Sequence, residues 1–278
     1  WTNNGLVLMA SWINGNLLVG SDEAVAKTKN KIIGLFNCKD CGELEEYVGC
    51  KITRKGKHSL KFTQPVLIQS LSLKFELPNG RYTTPAMTDD VLTKCKEEDM
   101  MEAQQQTTYQ SGTGKLMHMM QYSRPEIYNC VWDQSRHMGH AGKNHMKAML
   151  RCMKYCVDRP NHGLVLQLDA LWDGDPKTKF IVAGRSDSDY VKEPITRKSV
   201  SGGHVMLNGA PVRLRSSTQK TVALSVIEAE PYAAFMTAQD MLYVLHVLES
   251  FGIYAHLPMI LEVDNKGAMD SANSWSIG

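Results

Sequence analysis

The apolar positions change period several times along the 278-residue chain, and each change predicts an element. Leu6 to Ala10 is an apolar run, and Trp12-Ile13 and Leu17-Leu18-Val19 flank Asn14-Gly15-Asn16. Asn-Gly between apolar runs predicts a tight hairpin, because both residues tolerate positive φ. Ser21-Asp22-Glu23 supplies a helix cap and an acidic first turn; Val25, Ile32, Ile33 and Phe36 recur at helical spacing, so a helix is predicted over about 22–36. Strands are predicted at 45–53 and 59–62 around Gly56, then a helix from Gln64-Pro65 to about Phe75, with proline in its first turn. Residues 78–106 are polar and irregular and read as a loop or hinge, and three helices are predicted near 109–121, 124–137 and 143–157.

Residues 169–179, with Trp172, Gly174 and Pro176, read as a linker, and the pattern changes after it. Phe180 to Ala183 leads into Ser186-Asp187-Ser188-Asp189-Tyr190, and a second Asn-Gly turn at Asn208-Gly209 joins two strands over 202–215. A long helix is predicted from Val226 to about Ser250, then a strand over 259–263 that ends at Asp264. The order β-β-β-α-β defines an α/β fold. A three-stranded meander, a helix and a parallel return strand form the core of the ribonuclease H fold. Asp187, Glu230 and Asp264 fall at element edges, and a site that hydrolyses phosphodiesters with divalent ions needs carboxylates brought together from distant elements.

Composition changes the picture little. Hydrophobic residues are 43% and charged residues 22%, which allows a sizeable core, and the net charge of +2 implies that any nucleic-acid surface is local. No run of 18 apolar residues occurs and no signal peptide opens the chain, so a soluble intracellular protein without a membrane partner is expected. Seven cysteines include Cys38-Lys39-Asp40-Cys41, but a single C-x-x-C favours reduced thiols over zinc. Basic residues from Arg136 to Lys154 crowd the last two helices of the central region. They read either as a solvated face or as a surface along a phosphate backbone. The chain opens on Trp1 and stops at Gly278 just after a strand, which predicts a piece of a longer polypeptide.

Several runs carry a resemblance. Gly184-Arg185-Ser186-Asp187-Ser188-Asp189-Tyr190, Thr196-Arg197-Lys198-Ser199-Val200-Ser201-Gly202, Gln219-Lys220-Thr221-Val222-Ala223-Leu224-Ser225 with Glu228-Ala229-Glu230, and Asp264-Asn265-Lys266 resemble the ribonuclease H region of copia-type retrotransposon polyproteins. Ser11 to Gly20 resembles the catalytic hairpin of that family's reverse transcriptase, Cys41 to Gly49 its following segment, and Ser111 to Met117 with Tyr122 to Ile127 the stretch between polymerase and nuclease. The resemblance implies the C-terminal part of a reverse-transcriptase palm at 1–62, a thumb- or connection-like helical region at 63–168, the linker, and a truncated ribonuclease H-like domain at 180–278.

The family's hairpin carries adjacent aspartates where this chain has Asn14 and Gly15, so the resemblance implies a lost polymerase site. It makes Asp187, Glu230 and Asp264 the ligands of two Mg²⁺ ions that hydrolyse RNA in RNA–DNA hybrids. It also places the chain in a cytoplasmic particle or the nucleus. Arg197, Lys198, Arg213, Arg215 and Lys220 are candidate phosphate contacts. Two departures predict impaired activity. The family's fourth carboxylate would lie past Gly278, and Pro231 is expected to turn Glu230 away from α geometry. The competing expectation is a non-catalytic nucleic-acid-binding or interaction module. Oligomeric state is left open.

Overall fold

The computed structural model describes residues 5–12, 15–56, 58–87, 92–169, 172, 175, 177–193 and 196–273. It is a mixed α/β structure with three sheets among those residues. β1 (Val7–Trp12) and β2 (Gly15–Gly20) pair antiparallel, with α1 (Asp22–Leu35) following. A second sheet has the order β3-β4-β5-β6: β3 (Glu46–Tyr47), β4 (Cys50–Arg54), β5 (Ser59–Thr63) and β6 (Leu164–Gln167). Between β5 and β6 run α2 (Pro65–Lys74), α3 (Ala103–Tyr122), α4 (Tyr128–Ser135) and α5 (Lys143–Val157). Leu71, Tyr109, Leu116, Met119, Val131, Met149 and Met153 form the buried core of these helices.

Three boundaries differ from the sequence reading. α3 begins at Ala103, inside the expected loop, because the polar Gln104–Thr108 stretch can face solvent until Tyr109 reaches the core. The helix expected over 124–137 splits into a 3₁₀ turn at Pro125–Ile127 and the shorter α4. β6 lies within the region read as helical, and pairs with β5 across about a hundred residues.

His137 and His145 stack inside this helical region, with ring centroids 4.3 Å apart. Burial lowers the pKa of both below the ordinary histidine value; on His137 Asp133, Glu193 and the Leu92 carbonyl oppose it while Arg136 reinforces it, and on His145 the neighbouring His137 adds to the lowering. The folded state therefore holds them neutral. Their stabilising contribution is complete above pH ~6.5 and is lost as pH falls below it, because the unfolded chain takes up protons first. Denaturation midpoints measured from pH 7.5 down to 5.5 should fall, and should fall less in His137→Gln. Equal slopes would contradict this account.

The third sheet has the order β10-β7-β8-β9: β7 (Val182–Asp189), β8 (Val200–Leu207), β9 (Ala210–Thr218) and β10 (Ile260–Val263). β7, β8 and β9 are antiparallel, and β10 returns parallel to β7. Asn208 and Gly209 both take positive φ, 45° and 83°, as the predicted turn requires. α6 (Val226–Ser250) lies on one face of this sheet, its Met241 and Leu248 sharing a buried core with Val182 and Val205. Gly203 permits that approach, since a Cβ there would collide with Thr237 of α6. α7 (Lys266–Asn273) follows β10.

The helical region and this sheet meet directly. Asn129 accepts from the Ser216 hydroxyl at 2.9 Å, and Arg136 pairs with Glu193 at 2.9 Å. Asp169, placed in the expected linker, donates its N–H to the Asn208 carbonyl at 2.9 Å. No helix among the described residues is long and apolar enough to cross a membrane.

Candidate metal centre

β10 runs parallel to β7 with Val263 opposite Ser186. The next residues, Asp187 still within β7 and Asp264 just past the end of β10, are therefore neighbours. α6 delivers the third carboxylate. Its N-cap is Ser225, whose hydroxyl accepts from the Glu228 N–H at 3.3 Å, while the Glu228 carboxylate accepts from the Leu224 N–H at 2.7 Å. Glu228 is thus used in capping the helix, a variant of the Ser-x-x-Glu box. Two residues on, Glu230 is buried, between the buried Ala229 and Ala233, against the sheet. One carboxylate oxygen from each of Asp187, Glu230 and Asp264 lies within 4.8 Å of the others, and no second cluster of three or more metal-ligating side chains occurs among the described residues.

Pro231 does not displace Glu230. Both are helical, and Pro231 is the sixth residue of α6, beyond the first turn. The Ile227 carbonyl loses its N–H partner there, but the Ser225 cap and the packing of Ala229 and Ala233 fix the helix on both sides.

The cluster is electrostatically strained. Burial raises the Glu230 pKa above the usual carboxylate value, and the charges of Asp187 and Asp264 add to the rise, while hydrogen bonding from Ser188 opposes it. Glu230 Oε1 accepts from the Ser188 hydroxyl at 2.9 Å; its Oε2 is buried and has no hydrogen-bond partner. A buried carboxylate oxygen left unpaired, on a side chain beside two further carboxylates, costs free energy unless a cation completes it. Three hard oxygen donors suit a hard divalent cation.

The other sequence candidates are dispersed. Arg215 makes two contacts of 3.0 Å to Asp240 on α6, and Arg213 approaches the same carboxylate at 3.3 Å, so neither guanidinium is free. Arg197 is exposed and Lys198 half-buried in the turn after β7; Lys220 is exposed after β9. Gly15 opens β2 and offers no side-chain ligand, while Asn14 lies outside the described residues. Cys38 and Cys41 are exposed, Cys50 is buried, and none of the seven cysteines is bridged.

Two cavities meet at Asp187. One, of about 690 Å³, is also lined by Arg185, Arg215, Tyr128 and Asp264. The other, of about 1800 Å³, runs to Lys143, Lys147 and Arg151 on α5. Sequence reasoning missed Ser188 as the partner of Glu230. The strand alternation held the signal, because Ser186 and Ser188 share the face of β7 that α6 covers.

With this geometry the relationships of the chain can be placed. It is a distant homologue of copia-type retrotransposon Pol polyproteins over nearly its whole length. It is 27% identical to the retrovirus-related Pol polyprotein from transposon TNT 1-94 of Nicotiana tabacum, over 99% of this chain and 20% of that protein. It is 25% identical to the corresponding polyprotein from transposon RE1 of Arabidopsis thaliana, over 95% of this chain and 17% of that protein. The chain thus spans a fifth or less of the length of these curated relatives. A 132-residue stretch, 48% of the chain, is 31% identical to 87% of the secreted RxLR effector protein 161 of Plasmopara viticola, and over that stretch the chain belongs to one sequence family with it. No protein-family model and no solved structure matches the chain.

Proposed function

We propose that the chain is the part of a copia-type Pol polyprotein that joins the end of the reverse transcriptase to a ribonuclease H-like domain, and that Asp187, Glu230 and Asp264 form a Mg²⁺ site for hydrolysing the RNA strand of RNA–DNA hybrids. The observation that carries this reading is the convergence within 4.8 Å of three carboxylates, from β7, α6 and the end of β10, one of which, Glu230, has a buried oxygen without a hydrogen-bond partner. The topology supports it too: an antiparallel three-strand meander, one long helix and a parallel return strand.

Divalent ions bound there would activate a water and stabilise the oxyanion that leaves the phosphate. Asp187 and Asp264 are exposed and face the substrate side, while Glu230 sits behind them. The open cavities beside Asp187 give a hybrid room to approach, and recognition would rest on minor-groove shape and 2′-hydroxyls. DNA polymerisation is not part of the reading, because Asn14 and Gly15 replace the hairpin carboxylates.

The test is Mg²⁺-dependent cutting of a labelled RNA–DNA hybrid. Asp187→Asn should lower the rate about 10²–10³-fold, the scale of losing a charge aimed at the reacting phosphate. Cutting that is unchanged in Asp187→Asn would overturn the assignment. Salt-sensitive hybrid binding without any cutting would support the competing, non-catalytic reading.

A further inference from the structure

The two oxygens of Glu230 are not equivalent. Oε1 accepts from the Ser188 hydroxyl at 2.9 Å. Oε2 is buried and has no hydrogen-bond partner. Ser188 is on β7, one residue after Asp187, so a single strand supplies one ligand and the residue that orients another. We infer that Ser188 is a positioning residue that restricts Glu230 to one ligating oxygen and thereby selects Mg²⁺ over Ca²⁺ at this site. The inference rests on the metal-site reading above.

The reasoning follows from the two ions. Ca²⁺ takes six to eight oxygens in flexible geometry and commonly accepts both oxygens of a carboxylate, whereas Mg²⁺ demands near-octahedral geometry with fewer protein ligands. A carboxylate with one oxygen engaged by a hydroxyl offers a cation the other more readily. To ligate through both, it would have to share Oε1 between the cation and the Ser188 hydroxyl. The restriction falls on Glu230, which is held by the fold: it is 3% exposed, on a helix capped one turn earlier. Asp187 and Asp264 are exposed and can turn, so they adapt to either ion. Partners of this kind, one step removed from the metal, alter affinity by about 10–100-fold when deleted.

Isothermal titration of the whole chain with MgCl₂ and with CaCl₂, in wild type, Ser188→Ala, Ser188→Thr and Asp187→Asn, tests the inference. The readout is the ratio of the two affinities. In Ser188→Ala the ratio should move about tenfold toward Ca²⁺, while Ser188→Thr, which keeps the hydroxyl, should restore it. A purely structural role for Ser188 would weaken both ions alike, so an unchanged ratio in Ser188→Ala overturns the proposal while leaving the metal site standing. Wild type that binds neither ion, or binds both as well as Asp187→Asn does, overturns the metal site and this proposal together. Should Ser188→Ala fail to fold, Ser188→Cys keeps the side-chain volume with a much weaker donor and should move the ratio the same way. An unchanged ratio there would count equally against the proposal.

Discussion

Arg124→Ala should cost about 3–5 kcal/mol of folding stability, the scale for breaking a buried charged network by removing one partner. Arg124 follows the end of α3, and its guanidinium is wholly inaccessible to solvent. Its Nε donates to Glu126, and its Nη1 donates to the carbonyls of Arg159 at 3.2 Å and Cys156 at 3.4 Å. Its flat face lies over the Tyr155 ring, 5.6 Å from the centroid. One side chain therefore ties the turn after α3 to the end of α5, adding a charged donor to carbonyls that already accept from the Arg159 and His162 N–H groups. Alanine would remove all of these contacts and leave a cavity. Lysine should also lose stability, because an ammonium cannot reproduce the fork that meets two carbonyls and a carboxylate. Methionine should lose less than alanine, since both remove the network and the buried, unpartnered Nη2 while methionine leaves the smaller cavity. Urea unfolding of the three variants orders them; equal losses in alanine and methionine would show that the network, not packing, dominates.

Much of the third sheet was legible because local rules determine it. Asn208-Gly209 specifies the turn between β8 and β9, and the helix expected from Val226 to Ser250 puts Glu230 on a helix. The convergence of Asp187 and Asp264 follows once β10 is parallel to β7. The failures were non-local. β6 is only four residues long, and its partner β5 lies about a hundred residues upstream, so nothing in its own pattern distinguishes it from an apolar loop. Arg213 and Arg215 read as free cations because Asp240, which holds both, is some 25 residues away on α6. Arg124 was quoted only as part of a recognisable run. Its burial depends on the end of α3, the Pro125–Ile127 turn and the end of α5 packing together, which no window of sequence contains. Pro231 was over-read in the other direction: a local rule predicted a displaced Glu230, and tertiary packing overrode it.

Glu230→Gln should raise stability and destroy hydrolysis at once. In metal-free buffer the wild-type side chain is a carboxylate that burial and two neighbouring charges disfavour, so its pKa is raised and the folded state binds its proton more tightly than the unfolded state does. Stability from this group is therefore greatest at low pH and is lost as pH rises from ~4.5 through the folded pKa. Glutamine carries no charge and can still accept from Ser188. At pH 7.5 with EDTA the variant should be more stable than wild type by about 1–3 kcal/mol, the range for relieving an unsatisfied buried group, and the difference should vanish near pH 4. Adding Mg²⁺ should reverse the order. Wild type gains stability by mass action, RT ln(1 + [L]/Kd), while a neutral amide is a poor ligand and the variant gains little. Hybrid cutting should fall about 10²-fold or more. Thermal midpoints of both proteins with EDTA and with Mg²⁺ test the crossing directly: if wild type is the more stable protein without metal, the strain attributed to the three carboxylates is absent.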